Sequence, residues 1–438
     1  MALPAHASGE HLRRDFERFV AGRNEAAGIT AMRRTAFERF ETLGIPNTRH
    51  EDWRFTDVSG LARSRFPIAS DAPLDAARLP ADVSEVCHRL VFVNGRYHRG
   101  LSHVGALPKG VIVGSLADAV SIHSELVERY RERLPGLEDH AFTALNTAFH
   151  GDGAFLYLPR GAVLDIPLHL IYVATGGDTV SYPRNLIVLE ASSQAVIVED
   201  YHGEGHYWTC PVGEIEVGDG AALEHYKVQD ENHEAWHLSG LRLRLNRDSH
   251  ASLQMISSGA ALARTDVAVW LDGEGADCTL NGLTLTGGTQ LGDFHVRVEH
   301  AKPHGTSRQL FKGVLEGKSR AVFDGIICVR QGAQKTDARQ SNRNLLLSKQ
   351  AVADSNPRLE ILADDVKCSH GSTIGYLDAD AMFYLRSRGI GEARARAMLV
   401  FAFANDIIER IRIDSLRARL ERLLIGRLNP DTSEVESS

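Results

Sequence analysis

Cys368 and His370, two residues apart in Lys367-Cys368-Ser369-His370-Gly371, are the side chains in this chain best placed for chemistry. In an extended segment residues i and i+2 project from the same face, so the thiol and the imidazole would stand side by side. Thiolate and imidazole are soft and borderline ligands that iron accepts. The same pair also fits a single thiol with a nearby base. Two donors do not complete a metal shell, so an ion held here needs further ligands from distant residues or from a partner chain.

Other candidates have a blander reading. Asp266, Asp272, Asp277, Asp293 and Asp324 would suit a carbohydrate-active enzyme whose carboxylates sit on adjacent coils of a β-helix, but aspartates that flank strands more often serve turns. The chain has 20 His, yet His202, His206, His225, His233, His237, His295, His300 and His304 show no local ligand spacing. No P-loop, GxGxxG, HExxH or GxSxG segment is present, so nucleotide hydrolysis, dinucleotide redox chemistry and the common hydrolase plans lack support.

The elements around the Cys-x-His pair change character there. Before it, from Ala154, come short runs of β-formers such as Phe155-Leu-Tyr-Leu, Leu186-Ile-Val-Leu, Leu241-Arg-Leu-Arg-Leu and Phe294-His-Val-Arg-Val. Turns ending in Ala recur at Ala162, Ala195, Ala221, Ala251, Ala276, Ala321 and Ala351. The gaps are about 25 to 33 residues, with one of 45 that reads as one and a half repeats. A strand-only repeat of this length predicts a parallel β-helix, or β-solenoid, over 151–366, with an antiparallel sandwich or jelly roll as the rival.

After the pair, Asp378 or Asp380 is expected to cap a helix with Met382, Phe383 and Leu385 as its apolar positions, stopped at Arg388-Gly389. Further helical periodicity runs to the C-terminus, so 367–438 reads as a C-terminal helical domain whose helices would cap the open end of the solenoid. The last eight or so residues are expected to be disordered. Residues 1–150 read as a mixed, mainly helical N-terminal domain with a hairpin at Asn94-Gly95. Within it Trp53 and Phe55 could pin a loop onto the rest of the domain, although ordinary packing is the commoner role for such residues.

A length of 438 residues permits several domains or an elongated repeat, and 39 Gly with few aromatics suits short strands and tight turns. With 49 basic against 57 acidic residues there is no global footprint for nucleic acid or anionic membrane. No apolar run reaches membrane-span length and the N-terminus lacks a secretory signal, which predicts a soluble, cytoplasmic protein. Five scattered Cys without a CxxC pair encode neither a disulfide framework nor a zinc knuckle.

The segment from Val366 to Ile390 closely resembles the C-terminal signature of SufD, the scaffold subunit of the SUF machinery for iron–sulfur cluster assembly. Pro46-Asn-Thr-Arg-His-Glu-Asp-Trp-Arg-Phe-Thr-Asp and Gln334-Lys-Thr-Asp-Ala-Arg-Gln-Ser-Asn-Arg-Asn-Leu-Leu-Leu support the likeness. The resemblance implies a right-handed parallel β-helix with helical domains at both ends and no enzymatic activity of its own. It further implies pairing with the homologous SufB, with a homodimer as an alternative in isolation, and one SufC ATPase docked on the C-terminal helices. No resident cofactor is implied. A transient iron–sulfur cluster at the SufB interface would use His370 and Cys368, and Tyr384, Arg386 and Arg388 are the expected partner contacts. By the same resemblance, ATP-driven pairing of two ATPase subunits would pull on these helices and reshape the interface.

Overall fold

The computed structural model describes residues 6–80, 87–131 and 140–428. Its centre is a parallel β-solenoid of about eight turns, mainly β overall, with helices on either side in the chain. From Ala222–Glu231 to Val352–Ile361 every strand is ten residues long, and successive strands alternate between two sheets. One sheet of ten strands ends at Lys367–Gly375; the other, of eleven, ends at Val352–Ile361. Pairing along both is parallel through the coils, which excludes the antiparallel sandwich.

The repeat seen in the sequence is the coil itself. Ala195, Ala221, Ala251, Ala276, Ala321 and Ala351 are all buried, at positions where the chain enters a strand and only a small side chain fits the corner. The 45-residue gap arises because Ala276 precedes a strand of one sheet and Ala321 lies in a strand of the other, one and a half coils on. Alternate residues point inward and stack in columns: Leu253 and Leu280 from one sheet meet Leu243, Val269 and Val298 from the other. Each such side chain contributes roughly 1.5–3 kcal/mol on burial.

Helices His6–Ala21, Ala27–Leu43 and Ala141–Phe149 cluster through Phe16, Phe37, Phe40, Phe142 and Phe149 and cover Tyr182, Trp208, Leu238 and Leu262 on the solenoid flank. The loop after Ala27–Leu43 is held at Trp53, where the guanidinium of fully buried Arg264 lies 3.7 Å from the centre of the ring. The hairpin is also where the sequence put it, with His88–Val93 turning at Asn94 and Gly95, both at positive φ, into Arg96–Tyr97.

The C-terminal helices depart from expectation. Glu392–Ile408 and Asp414–Leu428 do not close the end of the solenoid. They lie along the outer face of one sheet, where Val400, Ala404, Ile407, Leu416 and Leu420 pack on Val228, Ile256, Leu283 and Val314. The reason is that this outer face carries apolar side chains beneath the helices, so the helices gain more from the flank than from the edge. The last eight or so residues, expected to be disordered, lie outside the described residues.

Candidate functional site

Among the described residues the last coil is therefore uncovered. Lys367–Gly375 pairs with Asp337–Leu345 on one side, and Val352–Ile361 pairs with Arg320–Val329. Both are terminal strands of their sheets, so each presents one unpaired backbone edge. Exposed Val352, Ile361, Leu362, Ile374 and Tyr376 gather at this end.

Cys368 and His370 sit on the first of these strands. Their register partners are Ala338 and Gln340, both buried and inward-facing, so the two side chains continue the interior columns of the solenoid at the point where the next coil is missing. They share one face, as the spacing predicts. Cys368 is half-buried, packed near Ile327, Val329 and Leu359, and its thiol is raised above the ordinary range first by burial. His370 is exposed. Among the described residues no group of three or more His, Cys, Asp or Glu side chains is arranged to hold a metal ion.

The helix that follows is capped by Asp378, whose Oδ1 accepts from Asp380 N at 2.8 Å and Ala381 N at 3.1 Å. Of its expected apolar face, Met382 and Leu385 are half-buried but no residue of Ala379–Ser387 is fully buried, and Phe383 and Tyr384 are 74% and 58% exposed. Arg386 and Arg388 are exposed too; Arg386 approaches Glu392 at 3.5 Å and Arg388 lies over the Tyr384 ring. A helix with two outward aromatic rings beside basic groups has the make-up of a contact surface.

The remaining candidates are taken up structurally. Asp266 and Asp293 both bind Arg264; Asp272 binds Arg244, Asp277 binds His250 at 2.6 Å and Asp324 binds Arg358 at 2.6 Å. Burial would raise the Asp266 carboxyl, but Arg264 beside it brings it down to about 2. The histidines are likewise engaged one by one, His206 with Asp178, His225 with Glu199, His237 with Glu231, His295 with Asp293 and His300 with Ser307. A glycosidic acid–base pair needs one carboxyl kept protonated, and the low Asp266 and Asp293 carboxyls lack that property.

Residues 172–403 match the family described as "SUF system FeS cluster assembly, SufBD core domain", and residues 16–170 match "SufBD protein N-terminal region". The chain belongs to the SufBD family. The iron–sulfur cluster assembly protein SufD of Escherichia coli K12 is 33% identical over 388 residues, covering 86% of this chain and 88% of that one. A SufBD family protein of Synechocystis is 33% identical over 421 residues, covering 93% and 92% of the two chains. SufD of Bacillus subtilis is 27% identical over 420 residues, covering 92% and 94%. The SufBD resemblance read from the three motifs thus extends over nearly the whole chain.

Sequence reasoning missed the residues that become important only through register. Gln340 beneath His370, Gly325 across the interior from it, and Lys312 under the C-terminal helix carry no local signal. Only a coil-by-coil alignment of the strands would have found them.

Proposed function

We propose that this SufBD protein is a non-catalytic scaffold of the SUF machinery that pairs with SufB through the open end of its solenoid and docks the SufC ATPase on its C-terminal helices. The observation that carries this reading is the uncovered last coil, where Cys368 and His370 stand between two unpaired strand edges. A second solenoid placed end to end would satisfy both edges and surround the thiol and imidazole with its own donors. In the absence of SufB, a second copy of this chain offers the same edges, which supports a homodimer in isolation.

In this reading the iron–sulfur cluster is cargo built at the seam, with Cys368 and His370 as this chain's ligands. Phe383, Tyr384, Arg386 and Arg388 would meet the ATPase, immediately after the strand that bears His370, so that a pull on the helix acts on the seam. A cytoplasmic location fits a machine of this kind, and among the described residues no helix is long and apolar enough to cross a membrane. The carbohydrate-active alternative is not favoured, because its aspartates are committed to arginines and histidines.

The experiment is co-expression with SufB and SufC, sizing of the product and anaerobic reconstitution. His370→Ala is expected to abolish cluster assembly while the complex still forms. Normal assembly by His370→Ala, or the absence of any SufB- and SufC-containing complex with the native chain, overturns the reading.

A further inference from the structure

The geometry points to Gln340 as the residue that fixes the tautomer of His370, an inference that rests on the cluster-scaffold reading only for its purpose. Gln309, Gln340 and His370 are direct register partners on three adjacent parallel strands, facing the solenoid interior. Strands about 4.8 Å apart bring same-face side chains in register within mutual reach. Gln309 and Gln340 are each 3% exposed. Gln340 Nε2 donates to Gln309 Oε1 at 3.0 Å, which orients the Gln340 amide and leaves its Oε1 without a hydrogen-bond partner among the described residues.

A buried amide oxygen left unpaired is costly, and the amide ladder therefore ends in an acceptor that needs a donor. The next residue of that column is His370. The glycine opposite leaves the amide its room: a Cβ on Gly325 would come 2.4 Å from Gln340 Nε2, so a larger residue there would push the amide aside. The two are not bonded in this structure; a His370 side chain turned so that one N–H donates to Gln340 Oε1 would hold the imidazole in one tautomer and one orientation. Its other nitrogen then keeps its lone pair turned away from the solenoid, toward the seam where an iron ion would be offered. Outer partners of ligating histidines act in this way. Gln340 is thus a positioning residue and touches no metal itself.

The test uses the full-length chain with 15N-labelled histidine, at alkaline pH where the imidazole is neutral, with the His370 signals assigned by their loss in His370→Ala. In the native chain one tautomer is expected to dominate. Gln340→Met, which fills the volume without an acceptor, is expected to move the tautomer ratio by about fivefold or more toward that of free imidazole. Gln340→Glu, which retains an acceptor, is expected to keep one dominant tautomer. A native chain with an ordinary tautomer mixture overturns the inference whatever the variants do, as does a folded Gln340→Met with native His370 signals. Normal cluster assembly by His370→Ala would instead sink the scaffold reading and leave the Gln340 contact standing.

Discussion

Lys312 Nζ lies 2.6 Å from Asp406 Oδ2 and 2.9 Å from the carbonyl oxygen of Phe403, so a lysine only 5% exposed at its side chain ties the helix Glu392–Ile408 to the strand Thr306–Leu315. In the same outward column the preceding coils carry Val228, Ile256 and Leu283. An apolar residue would pack there at less desolvation cost, so the ammonium serves as a connector rather than as filler. Lys312 is in register with Arg343, and Arg343 with Thr373 on the strand that holds His370.

Lys312→Ala is therefore expected to loosen the helix from the sheet and to cost about 1–3 kcal/mol, since Asp406 retains Arg410 at 3.0 Å. Lys312→Met, of similar length, should cost less. Urea unfolding reads the stability, and amide hydrogen exchange of Lys367–Gly375 reads whether the effect reaches the seam. Exchange there unchanged in Lys312→Ala would mean that the helix and the last strand are not coupled through this pair.

The loop before the solenoid depends on one cation. Arg264 is buried between Asp266 at 2.7 Å and Asp293 at 3.1 Å, donates to the Asp52 carbonyl at 2.6 Å and stacks on Trp53. Arg264→Ala would leave two buried carboxylates with His295 as their remaining close counter-charge, a loss of about 3–5 kcal/mol. Limited proteolysis should then cut the segment around Trp53 well before the solenoid unfolds. Native-like protection of that segment would contradict this assignment.

Much of this architecture was legible before the fold was known, and the rest failed for definable reasons. Coil length showed in the Ala positions because each corner repeats the same steric demand, and the Asp378 cap and the Asn94-Gly95 turn are local rules obeyed locally. The placement of the terminal helices was not legible. Met382, Phe383 and Leu385 have the composition of a packed face, and their periodicity is the same whether the face meets this chain or another. Val400 and Ile407 resemble the residues of an end cap, and only the apolar column Val228-Ile256-Leu283, contributed by residues nearly thirty apart, explains why they lie on the flank. Cys368 and His370 were found because i and i+2 share a face. Gln340 was hidden because its relation to His370 is one of strand register.

Acid should weaken the solenoid from within. Burial would raise the Glu199 carboxyl, but His225 at 2.9 Å and buried Lys227 hold it down to about 2. A carboxylate depressed in the folded state stabilises fully above its unfolded value and loses that contribution as pH falls through the folded one. Asp266, also brought to about 2, behaves in the same sense. Stability is therefore expected to fall between roughly pH 5 and pH 2, by on the order of 2–3 kcal/mol for Glu199 alone. Thermal melts across that window should show a shallower decline in Glu199→Gln than in the native chain. Parallel declines would place the acid sensitivity elsewhere.

Pro357 guards the exposed edge. Val352 N donates inward to Ser319 O and Leu362 N to Val329 O, and register is unbroken between them, so even-numbered amides of this strand face its neighbour and odd-numbered ones face outward. Position 357 is on the outward set, where proline removes a donor from the free edge without breaking a ladder bond. A chain waiting for a partner with apolar Val352 and Ile361 exposed gains from that interruption, since a continuous edge would also template unwanted strand addition. Pro357→Val restores the missing N–H and a β-forming side chain together. It is expected to leave the melting temperature nearly unchanged and to raise the proportion of higher oligomers in light scattering as concentration increases. If the variant scatters like the native chain at every concentration, the proline at this edge has no protective role.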